Sequence, residues 1–223
     1  MGAIKSNMKI CCNEYFIKIP GSYFTWEQRK NFREEIATKL TYNLKNVTSA
    51  DYRSIDELEY ASYDDILEVQ QNHEKSQYCT YADSTPISEE LVYKYFEKPL
   101  TFLGLKEPFN FRTRINLIFG GNKDGTGNIY PHIDDIDKCS LNIPLEGDWD
   151  PSINWYDRNS NIIKRFYYKN DIAVVNVNRL HGVEGISTRG RSHIRIKFDC
   201  PYKTIHKGFL RKAAHENYKI VDE

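Results

Sequence analysis

Thr113-Arg114-Ile115-Asn116-Leu117-Ile118-Phe119, broken by Gly120-Gly121-Asn122 and Asp124-Gly125 and resumed by Asn128-Ile129-Tyr130-Pro131-His132-Ile133, decides how this chain reads. Apolar residues alternate or run together over strand lengths and stop at turn residues, and no helical period fits between the stops. The same grammar continues downstream. Cys139–Leu145 ends at Glu146-Gly147-Asp148, and Ile153–Tyr156, Ile162–Tyr168, Ile172–Val177 and His193–Phe198 follow, with Lys169-Asn170-Asp171 as a further turn. Seven or eight short strands in about 90 residues, with no helix between them, predict an antiparallel sandwich or barrel. Gly120-Gly121 and Gly125-x-Gly127 read as hairpin chemistry, since no helix follows to offer a phosphate its N-terminus.

Upstream the pattern differs. Thr25-x-x-Gln28 is a capping-box signature, with Phe32, Ile36, Leu40 and Leu44 at four-residue spacing behind it. Ser54-x-x-Glu57 opens a second candidate helix carrying Leu58, Ala61, Ile66 and Leu67. Ser88 before Glu89 and Glu90 opens a third, through Val92 and Phe96 to a stop at Pro99. A short strand, Tyr15–Ile19, precedes them all. The expectation is one domain, mainly β: a helical part over 1–108, a jelly-roll core over 109–200 with the helices braced against one sheet, and a polar C-terminal extension over 201–223.

Composition narrows the function classes. The chain has 223 residues, and 31 Lys plus Arg balance 31 Asp plus Glu, so no global basic field draws it to nucleic acid or to an anionic membrane. With 40% hydrophobic residues, 16 Tyr and 11 Phe it is too aromatic for a disordered chain, and no apolar run approaches the roughly 20 residues of a membrane span. Five cysteines, an odd number with Cys11 and Cys12 adjacent and no CxxC pair, argue against a disulfide framework or a thiolate zinc site. Lys5 and Lys9 interrupt any signal-peptide core, so a reducing, cytoplasmic location is expected. The loose myristoylation pattern Met1-Gly2 with Ser6, and the sequon Asn46-Val47-Thr48, are read as chance matches.

His132-Ile133-Asp134 stands on or at the end of a strand, where residues i and i+2 share a face and an imidazole and a carboxylate can reach one metal ion. Alone the motif is short enough to arise by chance. It does not stand alone. His181, in Leu180-His181-Gly182-Val183-Glu184, lies 49 positions on, and Arg191 lies ten beyond that at the start of the last strand. Two His and one carboxylate on one face of a metal leave coordination positions open, as in the facial triad of non-haem iron oxygenases. A cosubstrate with two adjacent oxygen donors fills two of them, and an Arg nearby can hold its remote carboxylate by two parallel hydrogen bonds. Strand parity sets Asp135 aside, and Asp137 lies too far along. His73, His206 and His215 fall outside the β core and are expected to be solvated.

These residues make the chain resemble the iron(II)/2-oxoglutarate-dependent oxygenases, whose double-stranded β-helix (a cupin-like jelly roll) carries His-x-Asp, a distal His and an Arg about ten residues past it. The stretch from Pro131-His132-Ile133-Asp134 through Ser140-Leu141-Asn142-Ile143-Pro144-Leu145, Asp171 and His181-Gly182-Val183-Glu184 to Arg191-Ser192-His193-Ile194 and Asp199 is most similar to free proline hydroxylases and aspartyl/asparaginyl β-hydroxylases. It covers about residues 110–200. The resemblance implies that His132, Asp134 and His181 hold Fe(II), that Arg191 pairs with the distal carboxylate of 2-oxoglutarate, and that Asn142 can bond its inner one. Those relatives carry Arg and His where this chain has Ser140 and Asn142, and Arg189 and Arg195 are rival clamps. Asp134 stands where related halogenases have Gly or Ala, so hydroxylation is implied.

The expected function is therefore an Fe(II)/2-oxoglutarate-dependent dioxygenase that consumes O2 and hydroxylates an unactivated C–H of a small-molecule substrate. Arg191-Ser192-His193-Ile194-Arg195-Ile196-Lys197-Phe198 alternates strictly, so a pocket-facing Arg191 brings His193 and Arg195 with it, and Arg114 adds to the same field. A second buried cation needs an anionic partner, which points to a carboxylate-bearing substrate, most simply a free amino acid. Trp155 and Tyr156 are candidate pocket walls. The competing readings are a protein side-chain hydroxylase of the same fold, and a cupin-like metal-binding module or zinc hydrolase with no use for Arg191.

Overall fold

The strands expected in the second half are present in the computed structural model, which describes residues 8–47, 56–62, 79–105, 111–119, 126–133, 139–146, 152–157, 159, 161–169, 171–187 and 191–222. In chain order the first half holds β1 (Lys9–Cys11), β2 (Phe16–Ile19), α1 (Trp26–Glu35), β3 (Thr41–Val47), β4 (Asp56–Ser62), β5 (Cys79–Ser84) and α2 (Glu89–Phe102). The second half holds β6 (Phe111–Phe119), β7 (Thr126–His132), β8 (Cys139–Glu146), β9 (Ser152–Tyr156), β10 (Ile162–Tyr167), β11 (Ile172–Val175), β12 (His181–Ser187), β13 (Arg191–Phe198), α3 (Tyr202–Glu216) and β14 (Lys219–Val221).

The eight strands β6 to β13 fold as a double-stranded β-helix. A major sheet runs in the order β2-β11-β8-β13-β6-β5-β3-β4, and a minor sheet in the order β10-β9-β12-β7. Among β6 to β13 only β9 and β10 are sequence neighbours that pair; elsewhere in these eight strands the chain crosses between sheets. The glycine-rich segment after β6 is therefore a crossing and not a hairpin: β6 belongs to the major sheet and β7 to the minor one, and 120–125 lie outside the described residues.

Alternation assigns the two faces of the major sheet. On one face Ile17, Ile19, Ile172, Val174, Leu141, Ile143, Ile194, Ile196, Phe198 and Ile115 pack with Phe32 of α1, Phe96 and Leu100 of α2, and Ile205 and Phe209 of α3. Phe96 meets Phe24 and Phe32 with ring centroids 4.9 and 5.3 Å apart. The opposite face of β11, Ala173 and Val175, packs with Ile153 and Trp155 of the minor sheet and with Phe16, Phe166 and Tyr168, which marks it as the inter-sheet side. The helices thus brace one sheet, as expected, and leave the inter-sheet side for chemistry.

The first half is less helical than its sequence suggests. The Thr25 capping box forms, with the hydroxyl accepting from the Gln28 amide, and Ser88 caps α2. However, α1 stops at Glu35, and Leu40 and Leu44, expected on the same stripe, lie beyond it: Leu40 precedes β3 and Leu44 is in it. Tyr42 is fully buried and donates its hydroxyl to the Ala37 carbonyl at 3.1 Å, an anchor that an extended segment supplies and a continued helix would not. The Ser54 candidate is also a strand: β4 pairs with β3, and Glu57-Leu58-Glu59-Tyr60 fits a period of two as well as a helix. Ile66 and Leu67 lie outside the described residues. Pro99 does not end α2, which runs three residues further; in the last turn a proline forfeits only its own N–H bond, and the Leu103 amide closes onto the Pro99 carbonyl.

The C-terminal segment is part of the core. Tyr202, Ile205, Phe209 and Ala213 recur at helical spacing and are all buried, and β14 pairs in parallel with β1, which ties the segment after α3 to the first described strand. His206 is half-buried, not solvated: its ring stacks on Tyr202 at 5.5 Å and burial lowers its pKa, whereas His215 is exposed as expected. Phe209 contacts Phe102 at 5.3 Å, so Phe209→Ala should cost about 3–5 kcal/mol of unfolding free energy by urea titration, a loss that a detachable tail would not show.

Candidate active site

The structure brings the two predicted histidine ligands together. His181 opens β12 and His132 ends β7, and their backbones are direct partners in the minor sheet. On its other side His181 is opposite Trp155 of β9. Directly opposed residues of antiparallel strands lie on the same face, so Trp155 and His181 form one row across two strands. The row's face is the inter-sheet one, because Trp155 packs into the cluster between the sheets.

The His181 ring is buried and its orientation is fixed. Nδ1 lies 2.9 Å from the Arg179 carbonyl oxygen, which can only accept, so Nδ1 carries the proton and Nε2 the lone pair that a metal needs. Arg179 is itself held by an ion pair to Glu14 and lies over the Tyr15 ring at 5.0 Å. Ile133, next to His132, is exposed. Asp134 and the side chains of His132 and Arg191 lie outside the described residues, and among the described residues no three His, Cys, Asp or Glu side chains converge on one point.

Across the gap the major sheet offers a polar row. Ala173, Asn142, Arg195 and Arg114 are successive partners across β11, β8, β13 and β6. Ala173 faces the minor sheet, so the other members of its row share that side. His193 and the backbone position of Arg191 have the same parity on β13, whose pairing with β6 is regular throughout. The sequence-level expectation that Ile194, Ile196 and Phe198 turn to the helices and the basic residues turn inward matches this arrangement. His193 is buried; Arg195 and Arg114 are half-buried, and Arg114 donates to the Ser84 carbonyl at 3.3 Å.

Beside that row are polar atoms with unused capacity. Ser140 Oγ and the side-chain Oδ1 of Asn142 are buried with no hydrogen-bond partner among the described residues, while the Asn142 Nδ2 amide donates to the Tyr168 hydroxyl at 2.8 Å. Orphaned polar atoms are costly in a closed core and ordinary in a ligand cradle. Tyr168 was not among the residues singled out from sequence. Its signal was available, since Phe166 and Tyr168 alternate inward from β10 and their rings meet edge-on at 4.9 Å.

Of the two proposed pocket walls, one faces the site. Trp155 is fully buried beside His181, donates Nε1–H to the Asn176 carbonyl at 2.9 Å, and contacts Tyr15 and Phe16. Tyr156, its neighbour in the strand, takes the opposite face, where its hydroxyl donates to Glu184 and Arg165 bridges Asn154 and Glu184. Period-two alternation excludes both from one wall.

No protein-family model and no curated protein matches the sequence. Solved structures do. An oxidoreductase of the 2OG-Fe(II) oxygenase family from Burkholderia pseudomallei matches with a TM-score of 0.50 at 12% identity, over 88% of this chain and 97% of that one. The shared fold is the double-stranded β-helix. HygX from Streptomyces hygroscopicus, solved with nickel, 2-oxoglutarate and hygromycin B, has a TM-score of 0.45 at 11% identity, covering 84% of this chain and 83% of its own. YcfD, a ribosomal oxygenase from Escherichia coli solved with cobalt and 2-oxoglutarate, has a TM-score of 0.42 at 12% identity, covering 91% of this chain. This chain spans about half the length of YcfD, 54%. At such identities the likeness is one of backbone architecture.

The Asn142–Tyr168 contact is open to test by itself. Tyr168→Phe removes the acceptor of a buried amide and should cost about 1 kcal/mol in chemical denaturation, whereas Tyr156→Phe, on the outer face, should change stability by less than about half of that.

Proposed function

We propose that this protein is an Fe(II)/2-oxoglutarate-dependent dioxygenase acting as a hydroxylase. The observation that carries the reading is the direct backbone pairing of His132 with His181, whose ring is on the inter-sheet face, opposite a row containing Asn142, Arg195 and Arg114. The residues fit the groups. A His181 ring with Nδ1 pinned offers Nε2 to a metal, and His132 and Asp134 would complete two imidazoles and a carboxylate. Ser140, Asn142 and Tyr168 offer polar atoms to an oxyacid, and Arg191 would pair with its far carboxylate. When bound, iron and 2-oxoglutarate supply the oxidising power, with succinate and CO2 as the coproducts of hydroxylation.

The chain's own residues then do four things. The Arg179 carbonyl fixes the His181 tautomer; Trp155, Phe16 and Phe166 keep water from that side of the site; Asn142 and Tyr168 orient an inner carboxylate; and the β13 cations fix the outer end of the bound acid. No described helix is long and apolar enough to cross a membrane.

His132→Ala, Asp134→Ala and His181→Ala should each abolish stoichiometric Co(II) or Fe(II) binding, with far-UV circular dichroism unchanged. Arg191→Leu should leave metal affinity intact and weaken 2-oxoglutarate binding by about two to four orders of magnitude, since losing one partner of a buried charge pair costs roughly 3–5 kcal/mol. Both are read by anaerobic titration, following the visible metal-to-ligand band. Metal binding unaffected in two of the three ligand variants overturns the triad; a larger effect of Arg189→Leu or Arg195→Leu moves the clamp.

For the substrate we propose a small molecule bearing a carboxylate, most simply a free amino acid. The support is the second basic position: Arg195 lies on the inter-sheet face with Asn142 on one side and Arg114 on the other. Arg195→Met should reduce substrate-dependent succinate release at least tenfold and spare the slow decarboxylation of 2-oxoglutarate without substrate. A panel in which peptides or proteins, but no free amino acid, stimulate succinate release assigns the enzyme to protein side chains.

A further inference from the structure

Cys139 and Cys200 take no part in the site described above, yet they form a pair. Cys139 begins β8 opposite Phe198, the last residue of β13, and Cys200 follows two residues later, where the chain bends toward α3. The bend returns the Cys200 side chain to its diagonal neighbour, and the two thiols are hydrogen-bonded to each other. No disulfide joins the described cysteines. Cys139 is fully buried, whereas Cys200 is partly exposed at the edge of the core.

We propose that Cys139 and Cys200 are a peroxide-reactive dithiol that closes reversibly to a disulfide, stapling the start of β8 to the end of β13. The two sulfurs have unequal roles. Cys200 is the reachable one, and the Cys139 thiol donates to it, which lowers the Cys200 pKa against the opposing effects of its partial burial and of Asp199. That same bond, with burial, raises the pKa of Cys139. A partly exposed, stabilised thiolate next to a shielded thiol is the arrangement of an attacking and a resolving cysteine. Among the other cysteines with described side chains, Cys11 and Cys12 are poor competitors: both are buried, and burial pushes the Cys12 thiol up to about 12.

The chemistry balances with a hydroperoxide as oxidant. The Cys200 thiolate attacks the peroxide, an S–O bond forms, the O–O bond breaks, and the leaving hydroxide is protonated to water. The Cys139 sulfur then attacks the Cys200 sulfenic acid: the S–S bond forms, the S–O bond breaks, and the Cys139 proton leaves with the hydroxide as a second water. Two thiols are oxidised by two electrons and one peroxide is reduced to two waters. The staple lies next to Ser140 and three residues from Asn142, so it tightens the two central strands whose inward faces carry the polar row. This proposal does not depend on the oxygenase reading.

The test uses the full-length protein, metal-free in the presence of a chelator, exposed to a few equivalents of H2O2 at neutral pH and mapped by non-reducing peptide mass spectrometry. The expected product is one crosslinked peptide pair joining Cys139 and Cys200, cleaved by dithiothreitol, with the melting temperature of the oxidised protein several degrees above that of the reduced form. In Cys139→Ala the reaction should stop at Cys200, trapped there by dimedone; in Cys200→Ser, Cys139 should stay unlabelled. Wild-type mapping needs neither variant to fold. Crosslinks through Cys11, Cys12 or Cys79 in place of this pair, oxidation of Cys200 to sulfinic acid without a crosslink, or dimedone on Cys139 in Cys200→Ser would each overturn the proposal.

Discussion

The period-two alternation of β13, fixed between β8 and β6, is the constraint on which the rest of the molecule depends. Ile194, Ile196 and Phe198 must leave water together, and they do so against the aromatic residues of the three helices. Alternation then turns His193 and Arg195 to the other side. A slip of one residue would bury the basic set among Phe96, Phe209 and Leu100 and expose the isoleucines, so hydrophobic burial locks the register in which the basic residues face the minor sheet. Polar chemistry on one face is a consequence of apolar packing on the other.

The minor sheet works by the same logic with different residues. Ile153, Trp155 and Val183 form its apolar inward set, and that set carries His181 into the same layer. Glu184, Asn154, Arg165 and Tyr156 are turned outward, where they satisfy one another. The helices take no direct part in the site. They make the major sheet rigid, and the capping box of α1 and the Ser88 cap of α2 fix where those rods begin.

The strands of the β region were legible in the sequence because short apolar runs between turn residues have few other folds open to them. Cys139–Leu145 and Ile153–Tyr156 fall within one residue of β8 and β9. The two histidines stood out in the sequence because each falls at a strand position in the β region, the kind of placement a two-histidine metal site would use. Less legible was β12, whose Gly182 and Gly185 dilute the strand signal, although His181 at its start was identified. The first half misled for a related reason: Leu40, Leu44 and Leu58 satisfy a helical period, but their segments lie in or beside strands that extend the major sheet, and strand pairing with distant partners leaves no trace in local spacing.

By itself, then, the sequence determined the β-rich core, the two faces of β13, and the first caps of α1 and α2. Those are properties of neighbours along the chain: alternation, turn residues and capping side chains act within a few positions. Tertiary structure alone decided that His132 and His181 are cross-strand partners, that Trp155 and not Tyr156 lies beside them, that Tyr168 meets Asn142, and that Cys139 meets Cys200. Each of those contacts joins strands or segments that lie far apart in sequence or fixes which face a strand turns inward. Both are settled by how the two sheets bury their apolar sides together, a property of the whole core that no local window of residues contains.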